Sequence, residues 1–236
     1  SGKIEITPTA PRVEECFQST ETSSVDFCDV RGQEMAKHAL CIAAAGGHNV
    51  AMLGPPGSGK TMLAKRLSTI LPPLTTEESI ETSQIYSALG LLKPGKPLLT
   101  HRPFRAPHHT ISEAGLIGGR SVPMPGEISL AHNGVLFLDE FPEWPRPARE
   151  SLRHIMDTGV LDLHRADGCA RWQSSAWILA AMNMCPCGQN PPLCVCNSSE
   201  RKQYMKRLSS PLLERFPVQL EIGITTTASE RSWSEC

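Results

Sequence analysis

Gly54-Pro55-Pro56-Gly57-Ser58-Gly59-Lys60-Thr61 lies between the apolar run Asn49 to Leu53 and the apolar-periodic segment Met62 to Leu71, which the breaker Pro72-Pro73 closes. Strand, glycine loop, helix is the order a phosphate-binding loop requires. The spacing Gly-x4-Gly-Lys-Thr is complete, and with glycine at about 7% of residues such a string arises by chance in a chain this long on the order of 1% of the time. The chemistry behind the pattern is specific. Glycines let backbone N–H groups turn inward around phosphates, and the helix N-terminus adds its positive end. Lys60 is placed to reach the terminal phosphates and Thr61 to ligate Mg²⁺. The competing reading is a glycine-rich turn that happens to carry a surface lysine.

Downstream, the apolar run Val135 to Leu138 ends at Asp139-Glu140. An acidic residue at the carboxyl end of a strand can hold Mg²⁺ through its water shell, and the next one can polarise an attacking water. Read alone, the pair is equally a set of surface carboxylates after a core strand; the upstream glycine loop favours the metal and water roles. Asn183 closes the next apolar strand, Trp177 to Met182, 44 positions after Asp139. There it can orient water or contact a γ-phosphate, although an Asn closing a strand is more often a turn residue. Arg215, in Leu212-Leu213-Glu214-Arg215-Phe216, can supply planar bidentate charge to a neighbouring subunit's phosphate, or simply pair with Glu214 or Glu221 at the surface.

The remaining pattern places these segments in one fold. Residues 1–25 are rich in Ser, Thr, Pro and Glu and read as a flexible lead-in. Gly32 to Ala45 has helical spacing and stops at Gly46-Gly47. Thr75 to Leu89 reads as a helix with Thr75 and Glu78 as a capping box and Gly90 as its stop. Residues 91–133 are dense in Pro and Gly and read as an elaborated insertion rather than a core helix or strand. Pro147 sits where a helix can begin, and Gly159 ends that helix. Residues 160–173, with the turn Ala166-Asp167-Gly168, read as a β-hairpin. A helix from Ser199 to Ser209 and a strand from Val218 to Ile222 follow, and 223–236 is a polar tail. Strands alternating with helices imply a parallel sheet covered on both faces, so the fold class is α/β.

Composition narrows the function. The chain has 236 residues, 40% of them hydrophobic, enough for one substantial core. Its 23 Lys+Arg against 24 Asp+Glu argue against nucleic-acid binding through bulk charge, so any such site is local. Arg102, Arg105, His108, His109 and Arg120 offer a local basic surface, read either as phosphate contacts or as hydrogen-bonding props of the insertion. Without a long apolar stretch or a secretory start, the chain reads as cytoplasmic, with no membrane span. Of nine cysteines, Cys185, Cys187, Cys194 and Cys196 fall within twelve residues. In a reducing compartment that cluster suggests Zn²⁺ on four thiolates, free thiols in a surface loop, or less readily a disulfide; Cys-x-Cys is tighter than the usual Cys-x2-Cys.

Gly54 to Thr61, Val135 to Glu140, Asn183 and Leu212 to Phe216 resemble the Walker A, Walker B, sensor 1 and arginine-finger segments of AAA+ ATPases. More specifically, Arg102-Pro103-Phe104-Arg105-Ala106-Pro107-His108-His109-Thr110, Gly118-Gly119 and Pro125 to Gly134 resemble the signature stretch of the magnesium chelatase and ComM/YifB group. The resemblance runs from about Asp26 to Ile222. It implies an ATP-driven homo-oligomeric ring, usually a hexamer, using ATP and Mg²⁺. It also makes 91–133 a helix-2 insertion and 160–173 a pre-sensor-1 hairpin, both facing the channel. Glu140, Asn183 and Arg215 would be catalytic, and Gly54, Pro55, Pro56, Gly57, Ser58, Gly59, Lys60, Thr61 and Asp139 would bind the nucleotide and its metal. Cys185-Pro186-Cys187-Gly188 is similar to the ComM/YifB side, which points to remodelling of branched or single-stranded DNA in natural transformation. The chelatase side implies work on a porphyrin through protein partners, and a nucleotide-dependent scaffold or chaperone is a third reading. Departures from the pattern are the helical lid that supplies sensor 2 and the amino-terminal domain of ComM, neither of which is found in this sequence. The expectation is an excised core, 26–222, with weak ATPase activity by itself.

Overall fold

The computed structural model describes Phe17 and residues 25–119, 124–165, 168–189 and 194–224. The expectations for most of the lead-in and polar tail, for Arg120 and for the turn residues Ala166 and Asp167 lie outside the described residues. In chain order the elements are α1 (Glu34–Gly46), β1 (Val50–Leu53), α2 (Lys60–Leu67), α3 (Thr76–Ala88), β2 (Phe104–Arg105), α4 (Glu113–Leu116), α5 (Glu127–Leu130), β3 (Val135–Leu138), α6 (Arg146–Thr158), β4 (Val160–Arg165), β5 (Gly168–Gln173), β6 (Trp177–Met182), α7 (Ser198–Met205), α8 (Ser210–Leu213) and β7 (Val218–Glu221). No helix among the described residues is long and apolar enough to cross a membrane.

Five strands form a wholly parallel sheet in the order β2-β3-β6-β1-β7, and β4 and β5 pair as a separate antiparallel hairpin. The central strands Val-Leu-Phe-Leu and Trp-Ile-Leu-Ala-Ala-Met are buried at every position. Continuous apolar runs of this kind belong to sheets covered on both faces. Alternate residues divide between two cores, as the period of two requires. Ala51, Leu136, Leu138, Ile178, Ala180 and Met182 pack under Leu116, Ile128, Leu152, Ile155 and Leu212, so α4, α5, α6 and α8 cover that face. Val50, Met52, Val135, Phe137, Leu179 and Ala181 pack under Leu40, Ala43, Leu63 and Leu67, so α1 and α2 cover the other. Each fully buried Leu or Phe contributes roughly 1.5–3 kcal/mol, so these two layers hold the strand ends rigidly.

The reading of 91–133 as containing no core strand is corrected. Phe104–Arg105 pairs with Val135–Leu136 as the edge strand of the central sheet, and Phe104 stacks on Phe137 at 6.3 Å. The helix read from Ser199 to Ser209 is also shorter: α7 ends at Met205, and α8 starts afresh with Pro211 in its first turn. Proline fits that position because its missing N–H would have had no partner there.

One sheet edge collects the chemistry. β1 pairs with β6 on one side and β7 on the other, so the chain leaves β1 at the point where strand order reverses. In open α/β sheets, ligands bind outside the carboxyl ends of the strands at such a point. Gly54, Asp139 and Asn183 directly follow β1, β3 and β6, and the register Leu53↔Met182 sets the loop after β1 beside Asn183.

Candidate functional site

A cavity of about 370 Å³ opens at that edge, lined by Pro56 to Met62, Asp139, Glu140 and Asn183. Its volume lies in the small-molecule range of about 300–1,000 Å³. The floor is the loop after β1, where Gly57 and Gly59 adopt φ of 76° and 92°, a region open to glycine at no steric cost. α2 begins at Lys60, so its first N–H groups, which lack partners within the helix, point at the cavity with the positive end of the helix dipole.

Lys60 is only 7% exposed. Its Nζ donates to the carbonyls of Gly54 at 2.7 Å and Pro55 at 2.8 Å, and lies 3.5 Å from Asn183 Oδ1. Burial pushes its pKa below the usual ammonium value, and the Asp139 carboxylate opposes that shift. Ser58 Oγ is buried without a hydrogen-bond partner. A buried orphan hydroxyl and a buried ammonium at a helix N-terminus match an oxygen-rich anion such as a phosphate chain.

Thr61 Oγ1 donates to Asp139 Oδ2 at 3.0 Å, so the last residue of the glycine loop and the first after β3 share one point of the cavity. A hydroxyl and a carboxylate there are the hard oxygen donors Mg²⁺ takes. Glu140 follows in a left-handed conformation, φ 51° and ψ 43°. A non-glycine residue in that region is strained and persists only when its surroundings enforce it. The Glu140 N–H donates to Asp139 Oδ1 at 2.9 Å, Trp144 Nε1 donates to the Asp139 carbonyl at 2.9 Å, and the Glu143 N–H donates to the Glu140 carbonyl at 2.8 Å. The turn they enforce brings Glu140 Oε2 to 3.0 Å from His109 Nδ1. His109 is a contact that sequence reading did not assign to the site. It lies 31 positions before Glu140 in a stretch without periodicity, read from the sequence only as part of a local basic surface and of the Arg102 to Thr110 stretch, and its ring lies 4.2 Å from that of His108.

Asn183 faces Lys60, its Oδ1 3.5 Å from the ammonium. Arg215 is not brought to this cavity. It lies beyond α8, ion-paired with Asp157 at the end of α6, a pairing that raises its pKa further. Arg102 and Arg105 are engaged in structure. Arg102 pairs with Glu78 at 2.9 Å and donates to the carbonyls of Pro72 and Asn133, both at 2.7 Å. Arg105 grips Glu127 through two 2.7 Å bonds. Of the two readings of these arginines, the structure favours the props of the insertion.

Cys185, Cys187, Cys194 and Cys196 come together with all four sulfurs within 4.8 Å of one another. Burial pushes the Cys185 thiol up, whereas the Gln189 backbone N–H pulls Cys187 down.

The family described as magnesium chelatase, subunit ChlI, matches residues 26–230. The chain belongs to the magnesium chelatase family. Within the family it is 45% identical over 207 residues to the uncharacterized protein YifB of Salmonella typhimurium, covering 87% of this chain and 41% of that one. It is 43% identical over 212 residues to the competence protein ComM of Haemophilus influenzae, covering 88% and 41%. This member of the family thus spans about two fifths of the length of those relatives. Among solved structures, NtrX from Brucella abortus in complex with ATP superposes with a TM-score of 0.52 at 17% identity, covering 88% of this chain and 39% of that one. At that identity the likeness is one of fold alone.

Proposed function

We propose that residues 26–222 are an ATP-hydrolysing motor core that works as a homo-hexameric ring in the cytoplasm, between a lead-in at 1–25 and a tail at 223–236. The observation that carries it is the convergence of Lys60, the Thr61–Asp139 pair, Glu140 and Asn183 on one cavity at the sheet's switch point. Gly54 to Thr61 cradle the triphosphate, and Lys60 binds its terminal oxygens. Thr61 and Asp139 hold Mg²⁺, which when bound offsets the negative charge of the phosphates. Glu140, oriented by His109, accepts a proton from water as the water oxygen attacks the γ-phosphorus, and the bond to the bridging oxygen breaks to release ADP. Asn183 positions that water against the γ-phosphate. Arg215 acts on the nucleotide of a neighbouring subunit.

The work done with this energy is remodelling of branched or single-stranded DNA. Support comes from the similarity to the ComM/YifB side of the family, one of whose members is named a competence protein. The family description favours a second reading, a chelatase-type motor acting through protein partners. The test is ATP turnover by the full-length parent protein with and without a four-way DNA junction, with Glu140→Gln as the blank. Stimulation by the junction supports the DNA reading. Intact basal turnover without stimulation turns the assignment to a chelatase-type motor or a scaffold.

A further inference from the structure

The thiol cluster lies immediately beyond Asn183 and against the phosphate loop. Cys185 Sγ is 3.4 Å from Cys187 Sγ and 3.5 Å from Cys194 Sγ, and Cys187 and Cys194 are 3.5 Å apart. A disulfide would join two sulfurs at about 2.05 Å and leave the others apart. Near-equal spacings among three sulfurs, with a fourth inside the same 4.8 Å, instead approach a tetrahedron. Four thiolates on Zn²⁺, at about 2.3 Å each, put neighbouring sulfurs about 3.8 Å apart. The ligands come from two short Cys-x-Cys turns, the first closed by the Gly188 N–H donating to the Cys185 carbonyl at 3.1 Å. Arg201 Nη2 donates to Cys194 Sγ at 3.2 Å, placing a cation beside a centre that carries two net negative charges when four thiolates bind one Zn²⁺.

The first turn also touches the nucleotide site. A Cβ on Gly188 would stand 2.9 Å from Pro56 Cγ and 3.7 Å from Asn183 Nδ2, so this backbone presses on both the phosphate loop and the residue that faces Lys60. Gly188 has φ 73°, which fixes the turn in a form that a side chain rarely adopts.

We infer that Cys185, Cys187, Cys194 and Cys196 form a tetrathiolate Zn²⁺ site that clamps the segment after Asn183 against the phosphate loop, so that nucleotide turnover depends on the metal. The turnover half rests on the ATPase reading; the metal and the clamp do not. The test uses the full-length protein purified under reductant. Elemental analysis is expected to give about one Zn²⁺ per chain, and a content below about a tenth of that overturns the site. So does a protein mass that reports a disulfide among these four cysteines. Cys194→Ser/Cys196→Ser is expected to lose the metal and to lower turnover about tenfold, as loss of supporting contacts commonly does. Gly188→Ala, which leaves all four ligands in place, is expected to keep the metal and lower turnover. Hydrogen exchange reads the clamp without any catalysis: removing Zn²⁺ with a chelator should speed exchange in residues 54–61 and 183–188 while β3 stays protected. Unchanged exchange in the phosphate loop overturns the clamp, even if the metal is present. Absence of turnover in the unaltered protein, with zinc content and exchange as expected, removes the ATPase reading and leaves the clamp standing.

Discussion

At the scale of single residues, the proposed hydrolysis gives Lys60 and Glu140, which line the same cavity, different tasks. Lys60 is buried with its ammonium on the carbonyls of Gly54 and Pro55 beside the cavity, and the role proposed for it is in binding. Lys60→Ala removes charge-assisted bonds worth about 3 kcal/mol together, and nucleotide affinity should fall about 100-fold in a fluorescent-analogue titration. Glu140→Gln keeps the shape and removes the base, so affinity should stay within about threefold while turnover falls on the order of 100- to 10,000-fold. Equal loss of affinity in both variants would break this division of roles. His109 contacts the Glu140 carboxylate at 3.0 Å and is not among the residues that line the cavity. His109→Ala should therefore lower kcat about tenfold with KM nearly unchanged, and His109→Gln should restore part of it, by the logic of a base held by a third group; a shift in KM alone would sink the assignment. Lys60, Thr61, Asp139, Glu140 and Asn183 were legible in the sequence because each stands at a fixed offset from an apolar strand. His109 was not, because its partner is reached through a strained turn whose φ leaves no mark in residue spacing.

At the scale of elements, α3 shows how a helix can be set by its ends. Its buried positions are Ser79, Thr82 and Ser83, with no apolar stripe, and they bond outward: Ser79 Oγ to the Leu99 carbonyl at 2.6 Å, the Leu99 N–H to Ser83 Oγ at 2.8 Å, and Asn133 Nδ2 to Thr82 Oγ1 at 3.3 Å. The cap made the helix readable: Thr75 Oγ1 accepts the Glu78 N–H at 3.2 Å, and Glu78 returns a bond to the Thr75 N–H at 2.9 Å. That same Glu78 anchors Arg102, which ties α3 to the end of the insertion. Arg102→Ala removes the ion pair of the half-buried Glu78 carboxylate, which keeps the Thr75 N–H, and the donor to the Pro72 and Asn133 carbonyls, a loss of about 2 kcal/mol, or roughly 4–8 °C in Tm for a domain of this size. Differential scanning calorimetry checks it, and the salt dependence of DNA binding should keep its slope. An unchanged Tm with a shallower slope would return Arg102 to the phosphate-contact reading. β2 escaped the sequence for a related reason: two residues carry no period, and Phe104–Arg105 becomes a strand only because β3 offers an open edge.

At the scale of the whole molecule, the sheet gathers Lys60, Thr61, Asp139, Glu140 and Asn183 at one cavity and leaves Arg215 outside it. Arg215 is held by Asp157, its side chain 39% exposed, beyond the helix that packs on the face away from α2. An arginine that assists hydrolysis from there must do so on another copy of the chain, and release from Asp157 becomes part of assembly. Arg215→Ala should then keep nucleotide affinity and lose turnover on the order of 1,000-fold, the scale on which such arginines act. Glu140→Gln should fail alone as well, for a different reason, since its own arginine is intact. In a ring with head-to-tail contacts, a site carrying Glu140 from an Arg215→Ala chain is completed by Arg215 from a Glu140→Gln neighbour. Equal mixing before assembly makes such interfaces about a quarter of the total, so turnover of the mixture should recover to about a quarter of that of the unaltered protein. A mixture no faster than its components would mean that Arg215 serves its own chain's structure through Asp157 and that the ring, if one forms, is completed by another residue.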